Sequence, residues 1–253
     1  MSKEPLASRV ALVTGAGRNI GREIALSLAA SGVAVAVNVR SSVEEGQAVV
    51  DEIKARNGHA LLCVADVAAQ PDVRQMIANI DAQWGRLDIL VNNAAVRREA
   101  KLYDISEADW RRILAIILDG AFFCSQAALP LLRKSEQATI VNIGGMTSDT
   151  GAANRVHVVT AKAGLAGMTR ALAHELAPDG ITVNCVAPGM IETVRHAASS
   201  VASPDHRRRH HTLLARHGTA ADIAQSVVWL AGDGARFVTG QVIHVNGGAY
   251  LGG

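Results

Sequence analysis

The 253-residue chain is 49% apolar and 19% charged, enough to bury one sizeable core, and its formal net charge is only +2. So small an excess gives no argument for a nucleic-acid or membrane-surface partner. Three cysteines, Cys63, Cys124 and Cys185, stand far apart in apolar runs, with no CxxC pair and no His/Cys spacing suited to zinc. Buried free thiols in a reducing cytoplasm are therefore expected, and no metal site. The start "MSKEPLASRVALVTG" lacks the apolar core of a secretory signal, and no run approaches a membrane span, so a cytoplasmic protein is the default expectation.

In chain order, "RVALVTG" is a short apolar run that reads as a first strand, and "NIGREIALSLAAS" after it carries helical periodicity. Between them "TGAGRNIG" places Gly15 and Gly21 where backbone must approach a pyrophosphate closely at a helix N-terminus. Asn19 stands where a middle glycine is commoner, and asparagine tolerates unusual backbone angles. The second strand, "VAVAVNV", runs into "RSS". An acidic residue there would hold a ribose 2′-hydroxyl; Arg40 and Ser41, with Arg18, instead offer donors to a 2′-phosphate, which favours NADP(H). Helix "EEGQAVVDEIKAR", strand "ALLCVAD", helix "QPDVRQMIANIDAQW" and strand "LDILVNN" continue the alternation. A further strand, "ATIVNIG", precedes the long helix "NRVHVVTAKAGLAGMTRALAHEL"; "ITVNCVAP" and "QVIHVNGG" complete the set. The pattern predicts an α/β fold: a single domain over residues 1–253, with a doubly wound, Rossmann-type parallel sheet, helices on both faces and ligands at the carboxyl ends of the strands. Residues 190–215 break the pattern and form a candidate substrate lid. Within it "PDHRRRHH" reads either as a solvated helical turn or as an attractor for an anionic substrate; lacking interleaved aromatics, it is not expected to bind nucleic acid.

By these motifs the chain resembles the short-chain dehydrogenase/reductase family from about Ser8 to Gly248, and is most similar overall to 3-oxoacyl-acyl-carrier-protein reductase-like members. "TGAGRNIG" resembles the family's glycine motif, Asp66-Val67 its adenine-side pair, "NNAA" its "NNAG", "VAPGMIET" its "PG…T" segment and "GQVIHVNGG" its closing motif. The resemblance implies cofactor contacts from Gly15, Arg18, Asn19, Ile20, Gly21, Arg40, Ser41, Asp66, Val67, Asn93 and Ala94. It adds Lys162, for the nicotinamide ribose hydroxyls, and Pro188, Gly189, Ile191 and Thr193. It also implies a homotetramer acting on a small-molecule substrate.

Carbonyl reduction in that family needs a proton on the developing alkoxide, delivered by a tyrosine one helical turn before a lysine, with a serine and an asparagine in support. Matched residue by residue, Lys162 is the lysine, while Val158, Gly145 and Ile117 fall at the tyrosine, serine and asparagine positions. His157 points about 100° away from the Val158 direction and reads as a surface or edge residue. Thr147, Ser148 and Asp149 read as loop-capping residues or as groups projecting into the pocket. Ordinary ketone reduction is thus expected to be very weak, since each missing donor costs roughly 10²–10⁴ in rate. Three functions stay open: an NADP(H)-dependent reductase of a carbonyl or imine that needs little proton donation, a non-catalytic nucleotide sensor or partner subunit, and a non-redox lyase or isomerase on the same scaffold.

Overall fold

The computed structural model describes residues 6–193 and 212–252. Seven strands form one parallel sheet in the order β3-β2-β1-β4-β5-β6-β7, and each of the seven apolar runs of the sequence is one of them. They are β1 Val10–Val13, β2 Ala34–Val39, β3 Ala60–Val64, β4 Ile89–Asn92, β5 Thr139–Ile143, β6 Thr182–Pro188 and β7 Val242–Val245. The inner strands are buried along almost their whole length, as their unbroken Val/Ile/Leu/Ala content requires when helices cover both faces. The two outer strands differ: β3 buries only Cys63 and β7 is half-buried throughout, because each has a neighbour on one side only.

One face is covered by α1 (Asn19–Ala30), α2 (Val43–Ala55) and α8 (Ala220–Ala231), which pack on Ala11, Val13, Val35, Val37, Ile89, Val141 and Val186. The other carries α3 (Gln70–Trp84), α5 (Gly120–Leu132) and α7 (Val156–Leu176), which close over Leu12, Ala36, Leu90, Ile140 and Val183. A short α6 (Thr147–Thr150) follows β5, and α4 (Glu107–Leu114) is joined to α5 through a π-helical turn, Ala115–Asp119. Glu107–Leu132 is thereby one 26-residue helical run whose most apolar window has mean hydropathy 1.7 and is 44% buried. By length and composition it could cross a membrane, which corrects the expectation that no run approaches that length. Here it is a layer of the fold, packed on β4, α3 and α7.

Strand order reverses between β1 and β4, so the crevice at their carboxyl ends is the switch point where such sheets bind ligands. The turn after β1 is held there by close packing. Gly15 has φ +62°, and Asn93 donates its side-chain amide to the carbonyls of Thr14 (2.9 Å) and Gly15 (3.1 Å). A Cβ on Gly21 would lie 2.3 Å from the Gly15 oxygen and 2.4 Å from Asn93 Nδ2. Gly21→Ala must therefore push the turn away from β4; urea denaturation is expected to register a loss of about 1–3 kcal/mol or more, with cofactor affinity falling in parallel.

Candidate functional site

Everything singled out in the sequence for nucleotide contact, within the described residues, converges on the carboxyl edge of the sheet. Asn19 opens α1 with φ 52°, the left-handed conformation that asparagine accepts better than other side chains. Arg18, the N-cap, is extended and no side chain caps the first turn, so the N-terminus of α1 faces the crevice as a place for an anion. The Ile20 side chain is buried in the core, so only its backbone faces the crevice. A Cβ on Gly17 would touch Val39 at 3.0 Å, which brings the turn against the end of β2, where Arg40 and the exposed Ser41 follow. Arg40 stands 4.0 Å from Asp66 Oδ2 and Arg18 3.8 Å from Glu45, both loose, half-exposed pairs that a phosphate could outcompete. Val67 is buried against Gly120 of α5 and contributes packing. The Ala94 amide donates to Thr14 Oγ1 at 3.0 Å, so this part of the "NNAA" segment braces the glycine turn.

At the end of β6, Met146 N donates to the Pro188 carbonyl and Gly189 N to the Val245 carbonyl, both at 3.0 Å. Pro188 and Gly189 are thus clamped between the ends of β5 and β7, and a Cβ on Gly189 would strike Asn246 at 2.6 Å. Ile191 is buried and bridges to Gly218. Thr193 accepts a hydrogen bond from Arg97 at 3.2 Å. Most of the proposed lid, including "PDHRRRHH" from Pro204 to His211, lies outside the described residues.

The candidate reaction site is built by β5, α7 and the π-turn. Lys162 Nζ donates to the carbonyls of Ile143 (3.3 Å) and Gly144, which seat the ammonium at the end of β5. Burial, then the charge of Arg97, push its pKa down from 10.5 to about 8, partly opposed by Cys185, with a smaller further lowering by Arg155. Gly145 borders the same space; a Cβ there would sit 3.4 Å from Lys162 Cδ and 3.8 Å from Nζ, ordinary contact that a serine could make. Val158 and Ile117 behave differently. Both are about 98–99% buried and share one apolar cluster with Ile113, Ala121, Ala161 and Leu165. Ile117 lies in the π-turn, where Gly120 N donates to the Ala115 carbonyl; such bulges recur at functional sites. The three positions read from the family motifs as proton-delivery positions therefore lie together around Lys162, one open and two packed with hydrocarbon.

Two further features were not foreseen. His157 is fully buried where α7 meets α4, a correction to its reading as a surface residue. Burial pushes its pKa down, partly opposed by the Arg155 backbone and Asp109, and neither ring nitrogen makes a well-formed hydrogen bond. Arg97, whose position directly after "NNAAV" is the only signal the sequence offers, reaches both Thr193 and the field of Lys162. The cysteines are buried, and burial raises their thiols to about 12 at Cys63, about 12 at Cys124 and about 11 at Cys185, so they are poor nucleophiles.

Residues 15–250 match the family model described as enoyl-(acyl carrier protein) reductase. The chain is 42% identical over 244 residues to the 3-oxoacyl-[acyl-carrier-protein] reductase FabG of Staphylococcus aureus strain Mu50, covering 96% of this chain and 99% of that protein. It is 41% identical over 249 residues to BbsD, a subunit of (2S)-[(R)-hydroxy(phenyl)methyl]succinyl-CoA dehydrogenase from Thauera aromatica, covering 96% and 97%. Among solved structures, a short-chain dehydrogenase from Burkholderia cenocepacia J2315 in complex with NADP superposes with TM-score 0.90 at 36% identity, covering 97% of this chain and 99% of that one.

Lys162 also sets a pH signature for the ligand-free protein. Its pKa is lower folded than unfolded, so the folded state is penalised for the charged lysine below pH 8 and relieved of that penalty as pH rises toward 10.5. Stability of the unsubstituted protein minus that of Lys162→Met should therefore rise across this window, by about 3 kcal/mol at most, in denaturation curves taken at successive pH values.

Proposed function

The chain belongs to the short-chain dehydrogenase/reductase family, and from that premise we propose that it is an NADP(H)-dependent oxidoreductase of a small carbonyl or imine substrate whose proton does not come from residue 158. The observation that carries this reading is the contrast within one cleft: the nucleotide turn and Lys162 are set for binding, while Val158 and Ile117 are sunk in a shared apolar cluster. Relatives named as 3-oxoacyl reductases support a 3-oxoacyl thioester as the substrate class, an anionic one when its carrier is a phosphopantetheine or coenzyme A.

The crevice fits the cofactor. Gly21 leaves room for nothing larger than hydrogen, the α1 amides have no side-chain cap, and Arg18, Arg40 and Ser41 share the edge that a 2′-phosphate would occupy. When bound, the reduced nicotinamide supplies hydride. The chain would do the rest: the turn from Gly15 to Gly21 would hold the pyrophosphate, and Asp66, Asn93 and Ala94 would wall the adenine half, with Val67 packed behind them. Pro188, Gly189, Ile191 and Thr193 would face the carboxamide, and the Lys162 ammonium would donate to ribose hydroxyls while its positive charge would stabilise anion developing nearby.

A second reading, a subunit working beside an active homologue, is favoured by two observations. One relative is itself named as a dehydrogenase subunit, and the apolar run Glu107–Leu132 leaves much of its surface, including Phe122 at 45% exposure, uncovered by this chain. Assembly through that face would bury it, and a homotetramer would do so as well. Purification from the native cell separates the two: a homo-oligomer with no bound homologue weighs against the subunit reading.

Arg40→Ala is expected to weaken NADPH binding by roughly 10- to 100-fold in calorimetry while leaving NADH affinity nearly unchanged, the loss of a charge-assisted contact to phosphate. Gly145→Ser combined with Val158→Tyr and Ile117→Asn, which relieves the apolar cluster around the new ring, is expected to raise the rate of acetoacetyl-coenzyme A reduction by at least about 10²-fold, because one proton donor is worth that much. An unchanged rate with intact NADPH binding would mean that the substrate pocket itself, and not just its acid, differs from that of a ketone reductase.

A further inference from the structure

Across the cleft from Lys162 lies a pair of titratable side chains that the proposed function has not used. His244 Nε2 on β7 is 4.0 Å from Asp149 Oδ2 on α6, and the imidazole meets the Tyr250 ring edge-on, with centroids 4.9 Å apart. Its Nδ1 is buried with no hydrogen-bond partner, while the side chain as a whole keeps 21% exposure. Among the described residues, His244 also lines a cavity of about 430 Å³ with Met190, Ile191 and Asn246.

Sheet register places this pair beside the candidate reaction site. His244 is the register partner of Ala187, the residue before Pro188, so its Cα lies about 4.8 Å from the segment that faces the nicotinamide in the proposed complex. Register partners in a parallel sheet point to the same face. Val186, Ile243 and Val245 point to the α1–α8 core, so Ala187 and His244 point to the α7 side, where Lys162 stands. Cys185, two residues before Ala187 on that same face, feels the charges of both Lys162 and Asp149. Lys162 and the Asp149–His244 pair thus flank the end of β6 from its two sides, about two strand spacings apart, which leaves room for a small carbonyl between them.

A separation of 4.0 Å is too long for a hydrogen bond, so the two side chains do not consume each other. One oxygen of a bound substrate could accept from His244 Nε2–H and, once protonated, donate to Asp149, a geometry that a directly bonded His–Asp pair would not offer.

Resting on the oxidoreductase reading above, we propose that His244, faced by Asp149 at 4.0 Å, is the proton donor of the cleft, supplying from β7 what Val158 and Gly145 cannot supply from α7 and the turn after β5. In the reducing direction hydride from the reduced nicotinamide adds to the carbonyl carbon, and the C=O π pair moves onto oxygen. The Nε2–H bond of the imidazolium breaks as the O–H bond forms. The products are an alcohol, oxidised nicotinamide and a neutral imidazole, which takes a proton back from solvent.

Single-turnover oxidation of bound NADPH by acetoacetyl-coenzyme A tests this with His244→Phe, which keeps a ring against Tyr250, and with His244→Gln in case the first variant does not fold. Both should slow hydride transfer by roughly 10²–10⁴-fold with NADPH affinity unchanged, and Asp149→Asn should give a smaller loss. A readout independent of turnover is the imidazole NMR spectrum: acetoacetyl-coenzyme A added with NADP⁺ should move the His244 ring resonances and leave those of the exposed His217 in place. Hydride transfer that survives both His244 substitutions overturns the proposal, as do His244 resonances that do not respond. Tight NADPH binding with no hydride transfer even in the unsubstituted protein would overturn the oxidoreductase reading, and the proposal with it.

Discussion

A buried hydrogen-bonded ladder fixes the helix that carries Lys162 to the sheet that carries everything else. Asn92 on β4 donates to Asn142 Oδ1 on β5, and Asn142 donates to Thr169 Oγ1 on α7, each at 2.9 Å. Thr169 in turn donates to the Leu165 carbonyl, and Asn92 reaches Ser125 on α5 at 3.3 Å. These side chains sit among Leu90, Ile140 and Leu165, where an amide that loses its partner costs about 1–3 kcal/mol. The ladder therefore sets one rotation of α7 against β5. Seen from Thr169 toward the helix start, that rotation presents Lys162 to the carbonyls of Ile143 and Gly144 and buries Val158.

Binding and proton delivery are separable within this frame because they use different kinds of atom. The nucleotide crevice is mostly backbone: the glycine turn, the uncapped amides of α1, and the clamped Pro188-Gly189 segment. Substitutions elsewhere leave such groups in place as long as the strands keep their register. Proton delivery in this family depends on side chains, and side chains can change without disturbing that register. Val158 and Ile117 add apolar burial at positions that the motif reading assigns to polar groups, so the scaffold loses nothing in stability by their presence.

How far the sequence discloses the molecule depends on whether the information is local. The seven strands were legible because a doubly covered parallel strand must be an unbroken apolar run, and Asn19 was legible because few residues other than glycine accept its backbone angle. Lys162 and the residues around it followed from motif spacing along one helix and one strand end. His157 was misread because helical geometry gives its direction from Val158 but not which neighbour lies there; α4 covers it, and α4 is distant in sequence. The π-turn at Ile117 left no signature, since a single i→i−5 bond depends on packing. Arg97 with Thr193 and Asp149 with His244 are about 95 residues apart in sequence, and only the strand order brings each pair together.

Coupling between positions follows from the same geometry. Val158 and Ile117 contact one cluster, so the effect of changing either depends on the other and their contributions will not add. A tyrosine introduced alone at 158 would place its ring in space that Ile117, Ile113 and Leu165 now fill, and would have to displace them to bring its hydroxyl toward Lys162. Gly145 stands outside that cluster, with space before Lys162 already sufficient for a serine. On the proposed reading, the missing proton-delivery set therefore has two physical parts. One is an open position where a group is missing, and the other is a repacked pair whose reversal requires the π-turn and α7 to change together.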